Sequence, residues 1–122
     1  MGLSTAIQLK ESHAELKILI LDKRSVPIGA STKNAGFACV GSVSEIVEDI
    51  EKYGEDVASS LIQMRTRGIN ILKERIGLDK LMYQPEPGIE IFADQSEAEY
   101  YFHKVPYVIE LVERLGVGPI FS

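Results

Sequence analysis

The residues whose types and spacing suit chemistry begin with Asp22. Four consecutive aliphatic residues, 18–21, end on this carboxylate. A run of this kind, without polar alternation, predicts a strand that is buried on both faces. In a dinucleotide-binding unit, an acid at the end of such a strand accepts hydrogen bonds from ribose hydroxyls. Gly2 lies 20 positions before Asp22, which matches the ~20 residues expected between a glycine-rich turn and that acid. The pattern therefore predicts a nucleotide site at Asp22.

A loop of small and hydrogen-bonding residues, 29–37, follows the acid, with two basic residues, Lys23 and Arg24, in between. Small residues let the backbone approach a cofactor that bulky side chains would block. Two simpler interpretations stay open, in which Asp22 is a solvated acid at a strand end and 31–34 is an ordinary polar loop. The loop contributes these candidate site residues: Ser31, Thr32, Asn34, Ala35, Gly36 and Phe37.

The elements that must position these residues are a helix, a strand and a loop. The helical pattern begins at Gly2 and has Leu3, Ala6 and Ile7 on one face. Helix, buried strand and small-residue loop is the order found in a dinucleotide-binding unit after its first strand. The predicted fold class is therefore α/β, with an incomplete Rossmann-like unit that lacks its first strand.

Helices are predicted for the middle of the chain. Ser42 and Glu45 fit a capping box, in which a hydroxyl and a carboxylate three residues apart bond to each other's backbone. An apolar stripe with steps of three and four residues follows. We predict one helix at 43–53 and another at 55–76, separated by Gly54. The charged residues Glu48, Asp49, Glu51 and Lys52 are expected to form a solvated outer face.

The last third of the chain predicts a connection at 78–87, then a strand and a helix. Residues 88–93 alternate apolar and polar side chains, which indicates a strand. A helical pattern follows, capped by Asp94 or Ser96. Pro106 lies inside this pattern and should kink the helix or begin a new one.

Composition limits the partners that the chain can have. The 122 residues carry 18 acidic and 13 basic side chains, for a formal net charge of −5. This balance disfavours nucleic acid, because neutralising phosphates needs a concentrated basic face. A single cysteine, Cys39, excludes an internal disulfide and a cysteine-rich metal site. No apolar run approaches the ~20 residues of a membrane span, and no signal peptide is visible, so a cytoplasmic protein is expected.

The N-terminal third resembles a known family. Residues 2–6, 21–23, 29–31 and 34–37 together resemble the start of the FAD-dependent oxidoreductases of the D-amino-acid oxidase superfamily, which includes glycine oxidase, sarcosine oxidase and D-amino-acid dehydrogenases. The resemblance covers residues 2–42. It departs from the family in two ways: Asp22 stands where glutamate is usual, and the family's first strand, first two glycines and C-terminal part are absent. The resemblance implies an internal piece of a longer enzyme.

The family likeness also implies roles for the site residues. Asp22 would accept hydrogen bonds from the ribose of FAD, and Lys23 or Arg24 would lie near the adenine or ribose. Gly2 would be the third glycine of the turn, where helix and strand pack closely. Ser31, Thr32 and residues 34–37 would follow the pyrophosphate towards the flavin.

The implied reaction is hydride transfer to flavin from the carbon that bears the amine of an amino acid or secondary amine. The implied organisation is a partial FAD-binding unit at 1–42, a helical scaffold at 43–77 and the start of a substrate-binding domain at 78–122. Substrate-binding residues would come from the remainder of the polypeptide, and the 122 residues alone are expected to be inactive. Two other interpretations stay open: a non-catalytic interaction module or degenerate flavoprotein, and a unit that binds NAD instead of FAD.

Three further side chains could take part in chemistry, but simpler interpretations account for them. His13 and His103 have no Cys or His at ligand spacing, so we expect His13 at the surface and His103 packed on its helix. Cys39 is expected to be a small buried hydrophobe, with a flavin-linked thiol as the alternative. No catalytic residue and no metal site is predicted.

Overall fold

The computed structural model describes residues 2–26, 28–84 and 88–118, apart from the side chain of Ser31. The chain divides into two compact units, Met1–Phe37 and Ala38–Ser122. The described residues of the first unit form helix α1 (Gly2–Ser12) and a 3₁₀ turn at Ala30–Thr32. Those of the second unit form α2 (Val43–Tyr53), α3 (Glu55–Ile76), α4 (Leu78–Leu81) and α5 (Gln95–Arg114). The predicted domain boundaries at 42 and 77 stay predictions.

No strand forms within residues 2–26, 28–84 and 88–118. The predicted α/β fold, with its Rossmann-like sheet and a second strand at 88–93, is therefore wrong for the described part of the chain. A strand needs a neighbouring strand to receive its backbone hydrogen bonds, and neither segment has one. The aliphatic run also remains exposed, with Leu19 at 79% and Leu21 at 83% of full exposure.

Local sequence signals place the helices of the second unit. The side chain of Ser42 accepts from the backbone N–H of Glu45, whose carboxylate accepts in turn from the N–H of Ser42. This is the predicted capping box. Gly54 both ends α2 and precedes α3 with φ +87°, a conformation that favours glycine. The predicted bounds of α2 and α3 are confirmed.

The end of the chain differs from the prediction at α4, a four-residue helix that lies in the segment predicted as a connection. Helix α5 continues through Pro106, so no new helix begins there, and the predicted kink stays a prediction. Proline lacks an N–H and so removes one helical hydrogen bond, yet α5 does not end there. The side chain of Asp94 caps α5 by accepting from the N–H of Glu97 at 3.0 Å.

The core of the second unit lies where α2, α3 and α5 meet. Its members are aliphatic and no more than 8% exposed. Burial of such side chains contributes about 1.5–3 kcal/mol each. The core residues are Val40, Val43, Ile46, Val47, Ile62, Val108, Leu111, Val112 and Val117. None of the described helices is long and apolar enough to cross a membrane.

Candidate functional site

Asp22, the centre of the predicted nucleotide site, is exposed and bonded to its own turn. Its Oδ1 accepts from the backbone N–H of Arg24 at 2.9 Å. Aspartate commonly closes a turn with the residue two positions on in this way. The bond leaves the second carboxylate oxygen available, so the group keeps acceptor capacity for an external hydroxyl. Lys23 and Arg24 are exposed beside it.

The small-residue loop is ordered mainly by its 3₁₀ turn. The hydroxyl of Thr32 donates to the carbonyl of Gly29 at 2.9 Å, and the backbone N–H groups of Thr32 and Lys33 close the turn at 3.1 Å. The Thr32 hydroxyl proton is therefore used within the loop. Gly36 has φ +83°, and Phe37 is 87% exposed. In the described residues no hydrogen bond joins Asp22 to this loop.

A groove of about 480 Å³ lies between α1 and the aliphatic run. The predicted apolar face of α1, formed by Leu3, Ala6 and Ile7, lines one wall, and residues 16–18 and 20 line the other. Lys10 donates to the carbonyl of Leu16 at 2.9 Å and to that of Ala14. These bonds fix the turn that joins the two walls.

Gly2 has open space around it in this structure. A Cβ built at this position would meet no heavy atom within 4 Å. The close helix–strand packing expected there is not used by the described residues. A cofactor role for Gly2 stays a prediction.

In the second unit, three tyrosines of α5 bond to carboxylates of α2 and α3. Tyr100 donates to Glu51, Tyr101 to Glu48 at 3.1 Å and Tyr107 to Glu55 at 2.6 Å. Arg114 adds an ion pair with Glu55 at 2.6 Å. Glu48 and Glu51 are exposed, as predicted for a solvated face, and they also accept hydrogen bonds from α5. All these pairs are exposed, and they align the helices around the core.

The contact of Glu55 with Tyr107 and Arg114 gives a pH-dependent stability. The Tyr107 hydrogen bond, opposed by slight desolvation and assisted by Arg114, lowers the pKa of Glu55 below its ordinary value of 4.5. A carboxyl whose folded-state pKa is lowered stabilises the fold above its unfolded pKa, and loses that contribution as the pH falls through the folded pKa.

Glu55→Gln should therefore lower the urea midpoint at neutral pH, and the difference from the parent protein should shrink as the pH falls below 4.5 and disappear once the pH is below the lowered pKa of Glu55. Glu113→Gln, an exposed change on α5, is the matched control. A Glu55→Gln effect of equal size at acidic and neutral pH would contradict this assignment.

Glu90 reaches the N-terminus of α2. Its carboxylate accepts from the Ser44 hydroxyl and, at 3.4 Å, from the Ser44 N–H. Burial opposes ionisation of Glu90, but hydrogen bonds from Ser44, Ser42 and the backbone outweigh it, and the pKa is lowered. Residues 88–93 form no sheet, but their side chains still differ in environment. Ile89 is 85% and Ile91 90% exposed, whereas the ring of Phe92 stacks on that of Tyr101 with centroids 5.3 Å apart.

Sequence reasoning missed Arg65, which anchors the start of the second unit. Its Nη1 donates to the carbonyl of Val40 at 3.0 Å. An arginine within an amphipathic helix gives no sequence signal for a contact across 25 residues.

A second groove, of about 490 Å³, is lined by polar residues of α3, including Arg67 and Asn70, and by Leu115 and Val117.

The remaining candidates have simple surroundings. His13 is exposed and lies 3.6 Å from Glu15, and the ring of His103 lies edge-on to Phe102 with centroids 6.4 Å apart. Cys39 is exposed, so its prediction as a buried hydrophobe is wrong. Within the described ranges, no cluster of His, Cys, Asp and Glu could hold a metal ion.

Comparison with curated proteins gives two matches. The chain is 39% identical over 75 residues to the probable oxidoreductase OrdL of Haemophilus influenzae, over 62% of this chain and 17% of that protein. It is 36% identical over 88 residues to the gamma-glutamylputrescine oxidoreductase of Escherichia coli, over 71% of this chain and 20% of that protein. The similarity is to oxidoreductases. The chain spans less than a quarter of the length of either relative. No family model and no solved structure matches.

Proposed function

We propose that this chain is the FAD-binding N-terminal part of an oxidoreductase that acts on an amine or amino acid. The observation that carries the proposal is the similarity to two proteins named as oxidoreductases. One of them is named for gamma-glutamylputrescine, a derivative of a diamine, which supports an amine as the substrate class. Because the relatives are several times longer, the proposal concerns the complete protein.

Residues of the first unit support a role in binding the adenosine half of FAD. The exposed carboxylate of Asp22 retains an oxygen that no described donor occupies, and an ionised carboxylate offers only acceptors to the ribose hydroxyls. Lys23 and Arg24 supply positive charge beside it. Gly36, with φ +83°, permits a backbone conformation that a larger residue rarely adopts.

The division of labour follows from these assignments. FAD supplies the hydride acceptor when it is bound. This chain holds the ribose through Asp22, with Gly2 as the third glycine of the turn, and accommodates the pyrophosphate and flavin along Ser31, Thr32 and residues 34–37. The groups that grip the substrate belong to the remainder of the polypeptide.

Asp22→Ala in the complete protein should weaken FAD binding about 10- to 100-fold, because a hydrogen bond to a charged group contributes about 1.5–3 kcal/mol. The measurement is titration of the apoprotein with FAD, together with the flavin released from the purified protein. Asp79→Ala, which removes an exposed acid from α4, should leave affinity unchanged. Equal affinity for Asp22→Ala and the parent protein would remove Asp22 from the site.

Flavin content also decides between the alternatives. A complete protein that carries NAD and no flavin would favour the nicotinamide interpretation. A protein that binds neither cofactor would favour a non-catalytic interaction module. The exposed aliphatic side chains of the first unit, Leu19 and Leu21 among them, favour that second candidate, since apolar surface marks sites of protein contact.

A further inference from the structure

The chain that joins the small-residue loop to α2 is bonded to a side chain of α3. The guanidinium of Arg65 is partly buried and donates to the carbonyl of Val40 at 3.0 Å. The side chain of Val40 is 6% exposed and belongs to the core. A backbone carbonyl beside the core needs a donor, because an unsatisfied buried acceptor is costly. Arg65 supplies that donor.

Gly41 makes this contact sterically feasible. It has φ +128°, and a Cβ at this position would lie 3.0 Å from Nη1 of Arg65 and 3.3 Å from Cγ1 of Ile46. A side chain here would require the guanidinium or Ile46 to shift by a few tenths of an ångström. The missing side chain of Gly41 therefore leaves room for the Arg65 guanidinium at the Val40 carbonyl.

The peptide that Arg65 holds lies three residues after the proposed cofactor segment. Residues 34–37 run directly into Ala38, Cys39 and Val40. Cys39 is exposed, and Val40 is the first buried residue of the helical unit. The Arg65–Val40 bond thus holds the chain three residues beyond the end of the segment.

We propose that Arg65 is a positioning residue for the cofactor segment 34–37, acting through the Val40 carbonyl without touching the cofactor. The inference rests on the proposed function, because it assumes that this segment meets FAD. Fixing the chain near one end of a binding segment lowers the ordering cost that binding must otherwise overcome. Loss of the anchor should therefore appear in both the motion of the segment and its affinity for FAD.

The test compares Arg65→Met with Arg67→Met in the complete protein. Arg67 is exposed on the same helix, so the two variants match in composition and helix propensity. Limited proteolysis of the flavin-free protein should cut within residues 34–40 about 10-fold faster in Arg65→Met only. FAD binding, measured by titration, should be about 10-fold weaker in that variant. Arg65→Lys, which keeps a charged donor, should recover part of both effects.

The outcomes separate the positioning role from the proposed function. A parent protein that does not bind FAD refutes the proposed function, and the role in FAD binding with it. A parent that binds FAD as tightly as a folded Arg65→Met variant overturns the positioning role alone. If circular dichroism shows that Arg65→Met is unfolded, Arg65→Lys decides: faster cleavage at 34–40 supports the role, and unchanged cleavage overturns it.

Discussion

Leu111→Ala should lower the free energy of unfolding by about 2–5 kcal/mol. Leu111 is 1% exposed and packs in the core where α2, α3 and α5 meet. The substitution removes apolar contacts and leaves a cavity that the neighbouring helices can only partly close. Urea unfolding followed by far-ultraviolet circular dichroism measures the change, because the second unit contributes most of the helix.

The control for this prediction is a large apolar side chain on the outer face of the same helix. Phe102 is 74% exposed, so Phe102→Ala should change the free energy of unfolding by less than about 0.5 kcal/mol. Equal losses for the two variants would show that α5 does not pack through Leu111.

The second prediction is that substitution of glycine by alanine destabilises the protein at one position and stabilises it at another. Gly41→Ala should destabilise the protein by about 1–3 kcal/mol, because φ +128° is strained for alanine and its Cβ would lie 3.0 Å from Arg65. Gly68 lies inside α3, and a Cβ there would meet nothing within 4 Å. Gly68→Ala should stabilise by about 0.5–1 kcal/mol through its higher helix propensity.

Urea midpoints of the two alanine variants, measured side by side, test this pair. A single unfolding assay serves both, so differences in protein preparation cancel. Stabilisation by Gly41→Ala would contradict the conformation of the peptide that Arg65 holds.

The helices could be predicted because their signals are local. The capping box of Ser42 and Glu45 and the glycine at position 54 determine backbone bonds within a few residues. Such signals do not depend on the rest of the protein. Helix α4 carried no comparable cap and was missed.

The sheet prediction failed because a strand is defined by its partner. Aliphatic runs at 18–21 and alternation at 88–93 indicate burial, yet burial is a property of what covers the segment. The described residues provide no second strand, and Leu21 and Ile91 remain 83% and 90% exposed. The hydrophobic pattern of a segment does not show whether another strand lies beside it.

The candidate site could be predicted only as a set of residues. Residue type and spacing indicated Asp22 and the loop at 29–37, but not the bond between Asp22 and the N–H of Arg24. Contacts across long stretches of sequence, such as Arg65 with Val40 and Glu90 with Ser44, arise from helix packing. Their members look like ordinary surface charges in a sequence, and only the folded chain distinguishes them.

The single-glycine connection between α2 and α3 has a consequence for synthesis on the ribosome. The two helices are made in succession and can pair at once, whereas α5, which supplies Val108 and Leu111, is made later. At ~5–20 residues per second, the roughly 40 residues from the end of α3 to the end of α5 take roughly 2–8 s. During that interval Ile46 and Ile62 lack the cover that α5 provides, and the nascent hairpin exposes them to solvent or to a chaperone.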